Sequence, residues 1–225
     1  MTGSNDLIVG IDEAGRGPVV GNMFIVCLGV SEGCLGKLIE LGVKDSKKLS
    51  PKIRFALAPK ISRLAKVIII ESVKPEYIDR HNINAIFAQF VIKSLEAILS
   101  ARLKVKHVYI DAVSGRKFRD VVVNYLLTRN YDVPVSIEPK ADEKYPIVAA
   151  ASIIAKYLRD SHVRKLHEIY GDFGSGYPSD PKTIEWLSKY SSESELPPII
   201  RRSWSTLKKL GILKEEGKGL EKWLK

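Results

Sequence analysis

Short apolar runs, separated by polar and glycine-rich stretches, give the first expectations for the fold. Five of these runs have the length and the valine and isoleucine content of strands: residues 7–11, 19–30, 67–73, 107–110 and 133–137. A Gly/Pro turn at residues 15–18 joins the first two, which predicts an antiparallel hairpin. The isoleucines of residues 67–73 predict a buried strand.

Apolar positions at helical spacing predict the helices. Residues 83–99 carry such a pattern, and Ser50 followed by Pro51 marks the start of a helix that runs to about residue 64. Further helices are expected at residues 118–127, 147–170, 182–190 and 203–210. Strands first, then strands alternating with helices, are typical of an α/β domain with a mixed sheet.

Composition places the chain among ordinary folded domains. It has 225 residues, of which 45% are apolar and 28% charged. Cys27 and Cys34 do not form a Cys-x-x-Cys pair, so we expect neither a zinc site nor a disulfide framework. We therefore expect the protein to reside in a reducing compartment. The first residues are polar and the apolar runs are short, which predicts no signal peptide, no membrane segment and a cytoplasmic location.

The charge of the chain is strongly positive. The net charge is +10, and residues 201–225 supply +5 of it through eight Lys and Arg against three Glu. A basic chain with a basic tail favours a polyanionic partner, either nucleic acid or an anionic membrane. Composition alone does not choose between these two partners or exclude a merely basic protein.

Acidic residues stand at the ends of two predicted strands. Asp12 and Glu13 follow the first strand, Asp111 follows a later one, and Asp142 stands at the start of the long helix. Functional groups collect at strand ends in α/β sheets, so we expect Asp12 and Asp111 to converge. Clustered carboxylates repel one another, and a divalent cation such as Mg²⁺ removes the repulsion. For Asp12 taken alone, a solvated acidic residue is the alternative.

Other catalytic signatures are missing from the sequence. There is no GxxxxGK[ST] loop and no Gly-x-Ser-x-Gly elbow. His162 and His167 are five residues apart, which does not fit HExxH, and we interpret them, with His81 and His107, as ordinary histidines.

Five segments, in order, resemble the motifs of one enzyme family. They are residues 10–18 (GIDEAGRGP), 45–49 (DSKKL), 109–111 (YID), 140–142 with 150–156 (KAD and AASIIAK), and 174–180 (GSGYPSD). Together they resemble ribonuclease HII over about residues 8–204. Residues 197–204 (PPIIRRSW) resemble its archaeal and eukaryotic branch.

The resemblance implies a ribonuclease H-like α/β fold: a five-stranded mixed sheet flanked by helices, with a C-terminal helical region. It also implies a catalytic domain at residues 1–190, a basic substrate-binding appendage and tail at residues 191–225, and a monomer. The implied reaction is hydrolysis of the RNA strand of RNA–DNA hybrids and incision on the 5′ side of single ribonucleotides in duplex DNA. Such incision leaves 3′-hydroxyl and 5′-phosphate ends.

The resemblance also assigns residues. Two divalent ions, Mg²⁺ or Mn²⁺, would be held by four catalytic carboxylates: Asp12, Glu13, Asp111 and Asp142. The ribose 2′-hydroxyl would be contacted by the backbone of a Gly-Arg-Gly turn and by a tyrosine, here Gly15, Arg16, Gly17 and Tyr177. Candidate phosphate contacts are Lys47, Lys48, Lys156 and Arg16. The alternatives are an ordinary tight turn, a loop aromatic packed on the core, and solvated lysines.

The tail resembles the short peptide that docks on the DNA sliding clamp. Leu220 and the Trp223-Leu224 pair have the expected spacing, but Gly217 replaces the usual glutamine. An amphipathic turn packed on the domain is the alternative.

Two other functions remain open at this point. A structure-specific DNA endonuclease would ignore the 2′-hydroxyl, and a non-catalytic nucleic-acid-binding protein would be insensitive to chelators.

Overall fold

The structure, a computed structural model, describes residues 6–43, 49–111 and 116–213. Its strands are β1 (Leu7–Ala14), β2 (Met23–Ser31), β3 (Val67–Val73), β4 (Val105–Asp111) and β5 (Val135–Glu138). Its helices are α1 (Leu35–Glu40), α2 (Pro51–Leu64), α3 (Pro75–Arg80), α4 (Ile83–Ser100), α5 (Arg116–Thr128), α6 (Ala141–Lys144), α7 (Pro146–Tyr170), α8 (Pro181–Leu187) and α9 (Ser205–Lys209).

The five strands form one sheet in the order β3-β2-β1-β4-β5. The pairs β1–β2 and β2–β3 are antiparallel, whereas β1–β4 and β4–β5 are parallel. The predicted mixed sheet and the antiparallel pairing of the first two strands are confirmed.

Helices cover both faces of the sheet. The layer of α4 and α5 packs on one face, and α7, with α1 and α2, packs on the other. Along β1, Val9 and Ile11 face the first layer and Ile8 faces the second, as the alternation of strand side chains requires. At Gly10 an added Cβ would lie 2.6 Å from the carbonyl of Ile147, so the missing side chain lets β1 and α7 approach closely.

The chain after α8 returns to the segment that follows β1. A third apolar cluster contains Val19, Val20, Leu166, Phe173, Trp186, Leu187, Leu196, Ile199, Ile200, Leu207 and Ile212. Val20 also forms an isolated antiparallel bridge with Ile200. The C-terminal region is therefore fixed against the connection between the first two strands.

Several local expectations are wrong. The connection between β1 and β2 spans residues 15–22, so it is longer than a tight turn, and β2 begins only at Met23. The third strand is an edge strand rather than a buried one, and Ile70 is 47% exposed. The short helices α1, α3 and α6 were not predicted, because four to six residues carry too little periodicity to be recognised.

The longer helices agree with the sequence pattern. The Ser50 hydroxyl accepts a hydrogen bond from the Ile53 N–H at 3.4 Å, which confirms Ser50 as the N-cap of α2. By length and composition α4 could cross a membrane, with a mean hydropathy of 1.4 over 18 residues, contrary to the expectation that no segment could. Its Phe87, Val91 and Leu95 are fully buried in the first layer, which is the environment of a core helix.

Candidate active site

Two neighbouring parallel strands bring Asp12 and Asp111 together. Ile11 of β1 pairs with Ile110 of β4, so the residues that follow lie side by side. Asp142 comes from α6, and one carboxylate oxygen from each of the three aspartates lies within 4.8 Å of the other two. We call Asp12, Asp111 and Asp142 the carboxylate cluster.

Two of these aspartates lie at positions that differ from those expected from the sequence. Asp12 is inside β1, which continues to Ala14, and it is only 7% exposed, so the solvated alternative is wrong. Asp142 lies in the separate four-residue α6 rather than at the start of the long helix. The turn between β5 and α7 therefore supplies the third carboxylate.

Backbone geometry around Lys140 fixes the position of Asp111. The N–H groups of Lys140 and Asp142 donate to the two carboxylate oxygens of Asp111, at 3.1 and 3.4 Å. Lys140 adopts the left-handed conformation, with φ of 60°. A residue with a side chain pays about 1–2 kcal/mol for that conformation, which indicates that the surrounding contacts impose it.

Burial and mutual repulsion raise the pKa values of the site. The pKa of Asp12 is raised well above its usual value by burial, and the charges of Glu13 and Asp111 add to the shift. Burial raises the pKa of Asp111 to about 6, and Asp142 contributes through a side-chain hydrogen bond and its charge. Burial also raises the pKa of Glu13, against the lowering effect of Arg16. The site therefore favours a cation or protons over bare carboxylates.

Glu13 differs from the three aspartates. Its carboxylate lies outside the 4.8 Å grouping, and Oε1 accepts a hydrogen bond from Nε of Arg16 at 2.8 Å. Glu13 Oε2 is buried and has no hydrogen-bond partner among the described residues. All four carboxylates nevertheless line one cavity, with Pro139, Lys140, Ser152 and Lys156. The structure thus places Lys156, a predicted phosphate contact, beside the acidic residues.

Residues 15–18, the GRGP loop, continue directly from β1. Gly15 has φ of 90°, and a Cβ there would lie 2.9 Å from the carbonyl oxygen of Asn22, so the position requires glycine. The guanidinium of Arg16 is held by Glu13 and by Oδ1 of Asn84, at 2.7 Å for the latter. In this arrangement Arg16 serves to orient Glu13.

Tyr177 lies next to the same loop. A Cβ on Gly17 would be 3.4 Å from Cε1 of Tyr177, and Tyr177 is 37% exposed. The guanidinium of Arg159 lies 4.9 Å from the centre of the ring, a cation–π contact. The loop and the tyrosine therefore form one surface, and Tyr177 is not the core-packed aromatic that was the alternative.

The chain is similar to proteins of one known family. The family model for ribonuclease HII matches residues 9–207. Ribonuclease HII of Pyrococcus furiosus is 43% identical over 206 residues, which are 90% of each chain. The enzyme of Aeropyrum pernix is 43% identical over 208 residues, 91% of this chain and 90% of that one. This chain belongs to the ribonuclease HII family.

Solved structures agree with this assignment to the ribonuclease HII family. Ribonuclease H2 from Pyrococcus horikoshii superposes with a TM-score of 0.80 at 39% identity, covering 91% of this chain and 97% of that one. An Archaeoglobus fulgidus ribonuclease HII, solved as a complex with PCNA, has a TM-score of 0.77 at 36% identity, covering 96% and 99%. The chain is thus a type 2 ribonuclease H, an endoribonuclease of RNA–DNA hybrids, and this family uses divalent metal ions.

The sequence did not indicate a structural role for Arg201 and Trp204, which were noted only as part of the segment that resembles the family. Arg201 is fully buried and donates to the carbonyl oxygens of Gly15, Arg16 and Gly21, at 2.6, 3.0 and 3.0 Å. The indole N–H of Trp204 donates to the carbonyl oxygen of Gly17 at 3.0 Å. Hydropathy assigns arginine to the surface, so only the three-dimensional arrangement identifies this role.

Five predicted site and tail residues lie outside the described ranges. Lys47 and Lys48 fall in residues 44–48, and Leu220, Trp223 and Leu224 fall in residues 214–225, which lie outside the described part of the chain.

Proposed function

We propose that this ribonuclease HII incises duplex DNA on the 5′ side of a single ribonucleotide, leaving 3′-hydroxyl and 5′-phosphate ends, and also hydrolyses RNA in hybrids. The observation that carries this proposal is the continuity of β1 with the GRGP loop. Within seven residues the chain supplies Asp12, Glu13 and a glycine turn whose Gly17 lies against Tyr177. Groups that could hold a phosphodiester are thereby adjacent to groups that could contact its sugar.

The proposed metal ligands are the carboxylate cluster and Glu13, holding two ions of Mg²⁺ or Mn²⁺. The fit rests on the mutual proximity of the three aspartates, the raised pKa values of Asp12 and Asp111, and the unpartnered buried Oε2 of Glu13. When bound, such ions supply positive charge to the attacking and leaving oxygens of a phosphodiester. Arg16 orients Glu13, and the backbone of residues 140–142 orients Asp111.

Selectivity for a ribonucleotide is assigned to Gly15, Arg16, Gly17 and Tyr177. The 2′-hydroxyl both donates and accepts hydrogen bonds, and it is what distinguishes RNA from DNA at a given site. Glycines let the backbone approach a sugar closely, and a site built around a hydroxyl can reject the deoxy form by about 10⁴-fold. Phosphate contacts are proposed for Lys156, which lines the cavity, and for Lys47 and Lys48.

The test is cleavage of an end-labelled DNA duplex that carries one ribonucleotide. We expect one cut on its 5′ side with Mg²⁺, and none with a chelator, in an all-DNA duplex, or with Asp111→Asn. Cuts in the all-DNA duplex would indicate a DNA endonuclease. Binding without any cut in the presence of metal would contradict catalysis at ribonucleotides.

We also propose a cytoplasmic monomer in which residues 191–225 serve as a substrate-binding appendage to a catalytic domain at residues 1–190. The tail, through Leu220, Trp223 and Leu224, is proposed to dock on the sliding clamp, supported by the Archaeoglobus fulgidus relative that was solved with PCNA. A pull-down with the clamp tests this docking. Capture that survives deletion of residues 217–225 would contradict it.

A further inference from the structure

The GRGP loop is held from behind by a segment far away in the chain. Arg201 binds the carbonyl oxygens of Gly15 and Arg16, and Trp204 binds that of Gly17. Three consecutive loop carbonyls are therefore fixed by residues 201–204, which we call the C-terminal anchor. No cis peptide bond occurs in the described chain.

Peptide geometry turns these contacts into an orientation. In a trans peptide the N–H of each residue points opposite to the preceding carbonyl. Because the carbonyls of Gly15 and Arg16 point at Arg201, the N–H groups of Arg16 and Gly17 point away from it. The next residue, Pro18, has no N–H. The anchor thus leaves two adjacent amide donors on the opposite side of the loop.

The anchor is itself rigidly held. Arg201 also binds the carbonyl of Gly21 and lies 4.9 Å from the ring of Trp204, so both ends of the connection between β1 and β2 meet one guanidinium. Asp79 accepts hydrogen bonds from the backbone N–H groups of Arg202 and Ser203, at 2.8 and 2.9 Å. Several elements therefore define where the anchor stands.

We propose that Arg201 and Trp204 are positioning residues for recognition of the ribose 2′-hydroxyl. They set the peptide planes of the GRGP loop so that the amides of Arg16 and Gly17 face the substrate. This inference rests on the proposed function. It predicts that damage to the anchor slows incision at a ribonucleotide without weakening duplex binding, because phosphate contacts dominate duplex affinity.

The test uses two matched tryptophan variants. Trp204→Phe keeps an aromatic ring beside Arg201 and removes the hydrogen bond to Gly17. Trp186→Phe loses an equivalent 3.0 Å bond, to the carbonyl of Tyr170, in the same C-terminal apolar cluster. We measure kcat on the single-ribonucleotide duplex with Mg²⁺, and Kd for the same duplex with a chelator, well below the melting temperature of each protein.

For Trp204→Phe we expect kcat to fall about 5–10-fold, the effect of one hydrogen bond, with Kd within about twofold of the unaltered protein. Trp186→Phe should change neither value. A second variant, Arg201→Lys, cannot reach three carbonyls with one ammonium and should lose about 10²-fold in kcat. If that variant does not fold, the tryptophan pair decides the matter.

Each outcome separates this inference from the proposed function. Equal kcat values in the two tryptophan variants would overturn the role of the anchor. So would a Kd for Trp204→Phe that rises by the same factor as its kcat falls. If the unaltered protein does not cut at the ribonucleotide, the proposed function fails, and the inference fails with it.

Discussion

The carboxylate cluster and the C-terminal anchor both bury charge near the end of β1, in opposite ways. Burial and repulsion between neighbours raise the pKa values of Asp12 and Asp111. The buried guanidinium of Arg201 is instead surrounded by backbone carbonyl oxygens, and its pKa, lowered by burial to about 10, keeps it charged at neutral pH. The first arrangement costs the metal-free fold stability and suits a cation, whereas the second stabilises the fold.

The largest effect should come from neutralising the cluster. In Asp12→Asn the amide oxygen can still accept the Glu13 N–H, now 2.7 Å from the carboxylate, while a metal ligand and a repelling charge are removed. We expect hybrid cleavage to fall by at least about 10²-fold. We also expect the metal-free melting temperature to rise, by about 2–4 °C for each kcal/mol of repulsion relieved. Activity assays and calorimetry in chelator measure these two changes.

The matched control for that variant is Asp160→Asn. Asp160 pairs with Arg54 at 2.6 Å, so the same substitution removes an attraction there and should lower the melting temperature. A fall in melting temperature for both variants would show that the cluster does not destabilise the metal-free fold.

Removal of the buried cation should cost the most stability. Arg201→Met fills a similar volume but leaves the carbonyls of Gly15, Arg16 and Gly21 without their donor. We expect the free energy of unfolding to fall by about 3–5 kcal/mol in urea titrations. The neighbouring Arg202→Met, whose two side-chain contacts are 3.4 Å long, should change it by less than about 0.5 kcal/mol. Comparable losses in the two variants would show that the buried Arg201 contributes no more to stability than Arg202 does.

The pH dependence of metal-free stability should be smaller in size but clear in sign. Asp111 has a pKa of about 6 when folded, against 3.8 as its ordinary value. Between these pH values the folded state binds more protons than the unfolded state, so the free energy of unfolding should rise as pH falls from 7 to 5. Asp111→Asn should flatten this rise in chelator-treated protein. An unchanged slope would argue against a perturbed Asp111.

The smallest effects should come from the glycines of the loop. Gly15→Ala places a methyl 2.9 Å from a carbonyl oxygen at positive φ, which should cost about 1–3 kcal/mol in unfolding titrations. Gly17→Ala meets only the Tyr177 ring, at 3.4 Å, and should change stability by less than about 1 kcal/mol. The Gly17→Ala variant should still cleave more slowly at a ribonucleotide, because the added methyl lies between the loop and Tyr177. Full activity in Gly17→Ala would show that the surface between the loop and Tyr177 takes no part in recognising the ribose.

Much of the framework could be predicted from the sequence because it depends on periodicity. The strands of the sheet and the long helices α4 and α7 follow from repeated apolar positions over many residues. Convergence of Asp12 and Asp111 was predicted from their expected positions at strand ends, and the pairing of β1 with β4 brings them together although β1 continues past Asp12. Burial of Asp12 did not follow, since a polar residue inside a strand looks the same in sequence whether a layer covers it or not.

The rest depends on contacts between distant segments. The turn that carries Asp142 needs Lys140 in a left-handed conformation, which no local pattern indicates for lysine. The role of Arg201 appears only when residue 201 meets residue 15, 186 positions away in the chain. Periodicity describes single elements and carries no information about such a pairing.

That separation of 186 residues also has a consequence for the order of events during synthesis. β1 emerges from the ribosome early, and the carboxylate cluster can assemble once α6 and α7 have followed. The backbone of the GRGP loop gains its partners only after Trp204 has been added. The residues of the acidic centre are therefore all synthesised before those that hold the loop, so the contact between residues 15 and 201 is the later of the two that can form.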